Sequence, residues 1–367
     1  MARSKKIRWL SGLVGLALAV SGVVVLAGNA SSTPQLPAVS PQQLLASMAR
    51  AALAHGPISG EVTARIDLGI PSLSDQLAQG APDASTLLTY LSGDHRVRVW
   101  HSADGVRLAD LVTAGERDLY VSRHDVWAWD STTFTAYHVG PLPARFGRTA
   151  ADREAAPAVP GTLLPDPNEL AARALHAIDP STAVSVAQPR RVAGRDAYVL
   201  VLQPRTSDTL VGRVEISVDA APRVPLGVDV FPRGVVRAAV SVDFTSVSFA
   251  QIKPSTFDFV PPAGARIVRP SLRSIGAEGQ TVAPVPAAAK PEDFVRVLGQ
   301  GWAEILAVRL PASSTLAQGS RGSSLTSLLP FSGPLFSLRL VDRGDHSWLI
   351  GGLVPQDALA RVEAKLP

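Results

Sequence analysis

The residues best suited to do chemistry lie close together. His95, His101, His124 and His138 are interleaved with Asp94, Asp104, Asp125 and Asp130. Imidazoles and carboxylates in one stretch are what a zinc site or a general acid–base pair requires. The spacing argues against both. There is no His-x-x-x-His on a helical pattern, and the chain has Cys 0. Each aspartate sits in or beside a turn, where a short polar side chain bonds the backbone. Other signatures fail in the same way. Gly299-Gln300-Gly301 lacks the third glycine of a dinucleotide loop, and no βαβ pattern surrounds it. There is no Gly-x-Ser-x-Gly elbow and no phosphate-cradling loop with a lysine. Arg343-Gly344-Asp345 reads as a hairpin tip, and Gly194-Arg195-Asp196 as a turn. No set of residues supplies nucleophile, base and stabiliser, so the expectation is a non-catalytic protein without metal or cofactor.

The elements behind these residues are strands. HRVRVWH (95–101), VRLADLVT (106–113), RDLYVS (117–122), VWAWD (126–130) and FTAYHV (134–139) follow one another across turn residues. A helix, PQQLLASMARAALAH (41–55), and a strand, ISGEVTARIDL (58–68), precede them. After an aperiodic stretch (142–161) and a helix (166–179), alternation resumes in 183–187, 197–203, 212–220, 225–231 and 236–249. Such close spacing means hairpins, so the meander is antiparallel. Period two puts Val97 and Val99, Leu119 and Val121, Leu200 and Leu202, Val214, Ile216 and Val218, and Val240, Val242 and Phe244 on one face of their strands. Trp127 and Trp129 share a face of a short strand. These residues are the candidate wall of an apolar cavity. Alternation alone describes a filled core equally well.

The ends of the chain set the organisation. Arg3, Lys5, Lys6 and Arg8 precede an apolar run, 9–28. This is either a cleaved export signal (1–30) or an uncleaved anchor in the cytoplasmic membrane. Both place the rest outside the cytoplasmic membrane, in the periplasm or cell envelope. A tether (31–40) leads to the main domain (41–268); a Pro/Ala/Gly/Ser-rich linker (269–293) leads to a small α+β module (294–367) with a hairpin and a terminal helix. The formal net charge is +4 and aromatic residues are 5%. With the arginines scattered, this gives no basic stripe for nucleic acid.

The order helix, meander, helix, meander and a Phe-x-Phe-x-Pro-Pro-x-Gly-Ala closure resembles the LolA/RseB superfamily of exported bacterial proteins. The stretches VAGRDAYVLVLQP (192–204), VEISVDAAPRVPLGVDVF (214–231), VDFTSVSF (242–249) and FDFVPPAGARIV (257–268) carry the likeness. The last module is similar to the C-terminal part of LolA-like proteins of GC-rich bacteria. The resemblance implies an α+β, mainly antiparallel fold: a curved, half-open β-barrel covered by helices. It implies a carrier or sensor that holds acyl chains of lipids or lipoproteins. It also implies an alternative, a membrane-tethered regulator that binds an anti-sigma factor or another envelope protein.

Overall fold

The computed structural model describes residues 33–54, 56–69, 92–112, 114–123, 125–140, 180–269, 295–311 and 329–366. The apolar run 9–28, the helix expected at 166–179 and the stretch 142–161 lie outside them, as does nearly all of the linker. Helix α1 (Pro41–Ala54) opens the fold. Strands β1 (Ile58–Ile66), β2 (Gly93–Ser102), β3 (Gly105–Val112), β4 (Gly115–Ser122), β5 (Val126–Asp130) and β6 (Thr135–Val139) form a first meander. Strands β7 (Thr182–Val192), β8 (Arg195–Pro204), β9 (Val211–Asp219), β10 (Pro225–Pro232) and β11 (Val240–Ser248) form a second. Short β12 (Arg266–Val268) follows.

These strands make one open sheet in the order β12-β6-β5-β4-β3-β2-β1-β11-β10-β9-β8-β7. The two meanders join where β1 pairs with both β2 and β11. All neighbours are antiparallel except β12, which runs parallel to β6. After β11 the chain therefore crosses the whole first meander to reach the far edge. The architecture is the curved, unclosed antiparallel sheet expected from the sequence.

Two local readings are corrected. The turn before β8 is Ala193-Gly194, with φ of 53° and 72°, so Arg195 and Asp196 already belong to the strand. Two consecutive positive φ values suit the tight twist of a two-residue hairpin. Strand β7 runs to Val192 rather than stopping at Ala187, through a register shift between Ala187 and Arg190. Pro189 sits in that bulge on an edge strand, where its missing N–H breaks no ladder.

A second sheet, in the order β13-β14-β17-β16-β15, is built from β13 (Val295–Leu298), β14 (Ile305–Pro311), β15 (Phe331–Ser332), β16 (Ser337–Asp342) and β17 (His346–Gly352). Helix α2 (Gln356–Glu363) buries Leu359 against Trp348 and Ile350 in a separate core. No helix among the described residues is long and apolar enough to cross a membrane.

Candidate binding face

The register places nearly every candidate wall residue on one face. Val62 of β1 lies opposite Val97 of β2 and Phe244 of β11, and Ala64 lies opposite Val242. Val99 pairs with Leu108, and Leu108 with Leu119. On the other side, Val228 bridges Val242 and Ile216, while Leu200 and Leu202 pair with Ile216 and Val214. Directly paired side chains share a face. Val97, Val99, Leu119, Leu200, Leu202, Val214, Ile216, Val218, Val240, Val242 and Phe244 thus form one apolar surface, and Val121 packs against it. In VAGRDAYVLVLQP, Tyr198, Leu200 and Leu202 belong to this face, and Val199 and Val201 to the other.

The apolar face is closed at both ends. At the rim where β1 begins, Tyr198 Oη donates to Pro37 O at 3.0 Å, pinning the chain just before α1 over β8. The helix then leads directly into β1. Its 14 residues make it about 21 Å long, and β8 to β1 is about 19 Å at ordinary strand spacing. It therefore crosses the strands along this rim and buries Leu44 and Met48 in the core. Its start is fixed by reciprocal bonds: Gln43 N donates to Ser40 Oγ at 3.2 Å, and Ser40 N to Gln43 Oε1 at 3.0 Å.

At the opposite rim the C-terminal module docks. Trp302, Leu335 and Phe336 join the large sheet's core. The Trp302 indole donates to Thr182 Oγ1 at 2.8 Å, and Leu353 O accepts from Leu210 N and Thr209 Oγ1 at 2.8 and 2.7 Å. Gly333 has no room for a side chain, since a Cβ there would meet Leu68 O at 2.4 Å.

Trp127 and Trp129 do not join the other candidates. Trp127 pairs with Tyr120 and His138, so it lies on the opposite face. There the register builds a ladder across five strands: Trp100, Arg107, Tyr120, Trp127, His138. The Arg107 guanidinium lies 4.9 Å from the Trp100 ring and 4.7 Å from the Tyr120 ring. Trp127 stacks on His138 at 4.0 Å, and that histidine meets Asp125 at 2.7 Å. The chain crossing from β11 to β12 lies over this ladder. Phe259 meets Tyr120, Trp127 and Trp129, and Phe257 packs on Gly105. The FDFVPPAGARIV closure is thus a belt over the second face. Beneath it, Tyr120 Oη donates to Asp118 at 3.1 Å. Burial pushes the Asp118 carboxyl up to about 7; Glu116 adds to the shift and Arg107 opposes it.

The second meander covers the same face differently. Arg190 donates from Nε to Ser217 Oγ at 2.5 Å, from Nη1 to Asp229 at 2.7 Å and from Nη2 to Asp243 at 3.1 Å. Those partners stand on β9, β10 and β11. On a flat sheet β11 would be about 19 Å from β7, beyond the reach of an arginine. Past its bulge, β7 therefore leans over this face, and β7 and β11 touch. Gly227 leaves space for the Asp243 carboxylate, which a Cβ would meet at 2.0 Å. Burial, then the nearby Asp229 charge, raises Asp243 above the usual carboxylate range, against Arg190.

The remaining chemical candidates have structural partners. Asp130 Oδ1 accepts from Thr132 N at 2.8 Å and Thr133 N at 3.3 Å, the geometry of a turn cap. Asp94 pairs with Arg65 and Asp104 with Arg123. His124 lies outside the described residues.

No family model and no curated protein matches the chain. Solved structures do. The MucA/MucB complex of Pseudomonas aeruginosa matches at 15% identity and a TM-score of 0.44, over 88% of this chain and 96% of that one. A LolA superfamily protein from Nitrosomonas europaea matches at 9% and 0.24, over 60% and 99%. A lipoprotein-sorting protein domain from Vibrio parahaemolyticus matches at 12% and 0.23, over 59% and 97%. These likenesses are of fold alone. Scores this low say nothing of what it binds.

Proposed function

We propose that this is an extracytoplasmic, non-catalytic binding protein that holds acyl chains of lipids or lipoproteins on its apolar face. One observation carries the reading: an uninterrupted apolar surface runs through both meanders, with a helix across one rim and a separate module across the other. The surface is buried in this structure, with Leu200 at 0% and Val99 at 1% exposure, so an acyl chain enters only as one of these end pieces moves aside.

The energetics set a condition. Opening α1 would expose Leu44 and Met48, at a cost of roughly 5 kcal/mol, while an acyl chain gains about 0.8 kcal/mol per buried methylene. Chains of fewer than about six carbons do not offset the opening. Affinity then rises with chain length beyond that point. Native mass spectrometry of the full chain, purified from its host envelope, tests the reading. Co-purifying acyl species, and uptake of long but not short chains from vesicles, are expected. A chain that carries no lipid and takes none up overturns it.

The C-terminal module favours a second reading, a tethered regulator. It has its own core and presents a sheet and helix of its own beyond the docked edge. MucB has been solved with MucA. In-cell photo-crosslinking from the module's exposed residues decides this: reproducible capture of one envelope protein supports it, and its absence removes it.

A further inference from the structure

We propose that Arg223 binds the anionic headgroup of an acyl ligand held on the apolar face. This rests on the reading above and adds a chemical class: an amphiphile with an oxyanion, carboxylate or phosphate, at the end of its chain.

Arg223 stands in the turn between β9 and β10, at the rim crossed by α1. Its guanidinium lies 4.6 Å from the centroid of the Tyr198 ring, an apolar-face residue whose hydroxyl holds Pro37. Ala220 and Val224, on either side in the turn, pack against the apolar core. The cation is therefore set at the edge of the face rather than out on the far side of the sheet.

Its bonding differs from that of its neighbours. Arg190, Arg191, Arg195 and Arg213 each meet a carboxylate. Arg223 has no ion pair among the described residues, and its Nη1 is out of solvent with no acceptor. A buried guanidinium nitrogen left without an acceptor carries an uncompensated desolvation cost. The backbone is also held in an uncommon state, with φ of 61° at a non-glycine residue. Such features persist where the surroundings fix them for another purpose. A planar fork with a free, desolvated edge suits a carboxylate or phosphate oxygen. An alkyl chain attached to that oxyanion would run from the rim onto Leu200 and Ile216.

The test is titration of the full chain, kept soluble in an amphipathic polymer, with decanoate, decyl phosphate and neutral decanol. The native protein should bind both anions at least about tenfold more tightly than decanol, as one charge-assisted bond implies. Arg223→Gln should remove that preference and leave decanol affinity unchanged. Arg223→Lys should keep most of it for the phosphate and less for the carboxylate, because it loses the fork. The two anions in the native protein decide between a fatty acid and a phospholipid headgroup. An anion preference that survives Arg223→Gln, or decanol bound as tightly as the anions, overturns the proposal while leaving the apolar-face reading intact. Failure of all three to bind overturns both.

Discussion

The two meanders present the same apolar face and very different second faces. Over β2–β6 the second face is an aromatic and cation ladder sealed by the Phe257–Phe259 belt. Over β7–β11 it is a charged lattice gathered by one arginine. The shared face is set by a repeating requirement, one apolar side chain at every second position. The other face had to be closed by whatever chain could reach it. In the first meander a later segment arrives from outside; in the second the edge strand folds over its own neighbours.

The contrast can be broken most sharply at Arg190. Arg190→Ala leaves Asp229 and Asp243 facing each other without their cation, and should cost about 4 kcal/mol of unfolding free energy by chemical denaturation. Replacing Arg190, Asp229 and Asp243 together with apolar residues should recover most of that loss. In the belt, Phe257→Ala should cost about 3 kcal/mol, because a buried ring leaves a cavity over Gly105. No accompanying change can restore it as neutralising the carboxylates does in the lattice.

A pH titration sharpens the comparison further. Asp118 has a folded pKa of about 7, above its unfolded value near 3.8, so the folded state holds the proton longer. Stability should fall by roughly 3 kcal/mol as pH rises from about 4 to 7, then level off. Asp118→Asn should flatten that slope in thermal unfolding across the same range. The smallest effect belongs to Val236, which is 89% exposed at the β10–β11 turn. Val236→Ser should change stability by less than about 0.5 kcal/mol.

The apolar face was readable because period two is a property of each strand by itself. Register then only had to align the strands, and pairing of Val97 with Val62 or Leu200 with Ile216 followed from one buried side. The destination of Trp127 and Trp129 was not readable in this way. They alternate as regularly as Val126 and Ala128, and only the return of Phe259 across the sheet makes their face a buried one. The parallel pairing of β12 with β6 depends on the same long crossing. The Arg190 lattice was hidden for another reason: its partners lie on strands far apart in sequence, and its reach depends on a bulge at Gln188-Pro189. Arg223 leaves no pattern at all in the sequence, because what distinguishes it is a missing acceptor.

The bond from Tyr198 to Pro37 has a consequence for geometry outside the sheet. It fixes where the chain leaves the domain, on the rim that also carries Arg223. Pro34 is already buried and Leu36 already packs on the core, so the free segment 29–33 covers at most about 18 Å when fully extended. Where the apolar run 9–28 is kept as an anchor, this rim stays within roughly one bilayer thickness of the membrane surface. On the proposed function, a leash that short would turn capture from a search through the whole compartment into a local one, at an effective concentration set by tether length. A retained anchor would also give the domain a heading, with the Tyr198 rim toward the membrane and the C-terminal module away from it.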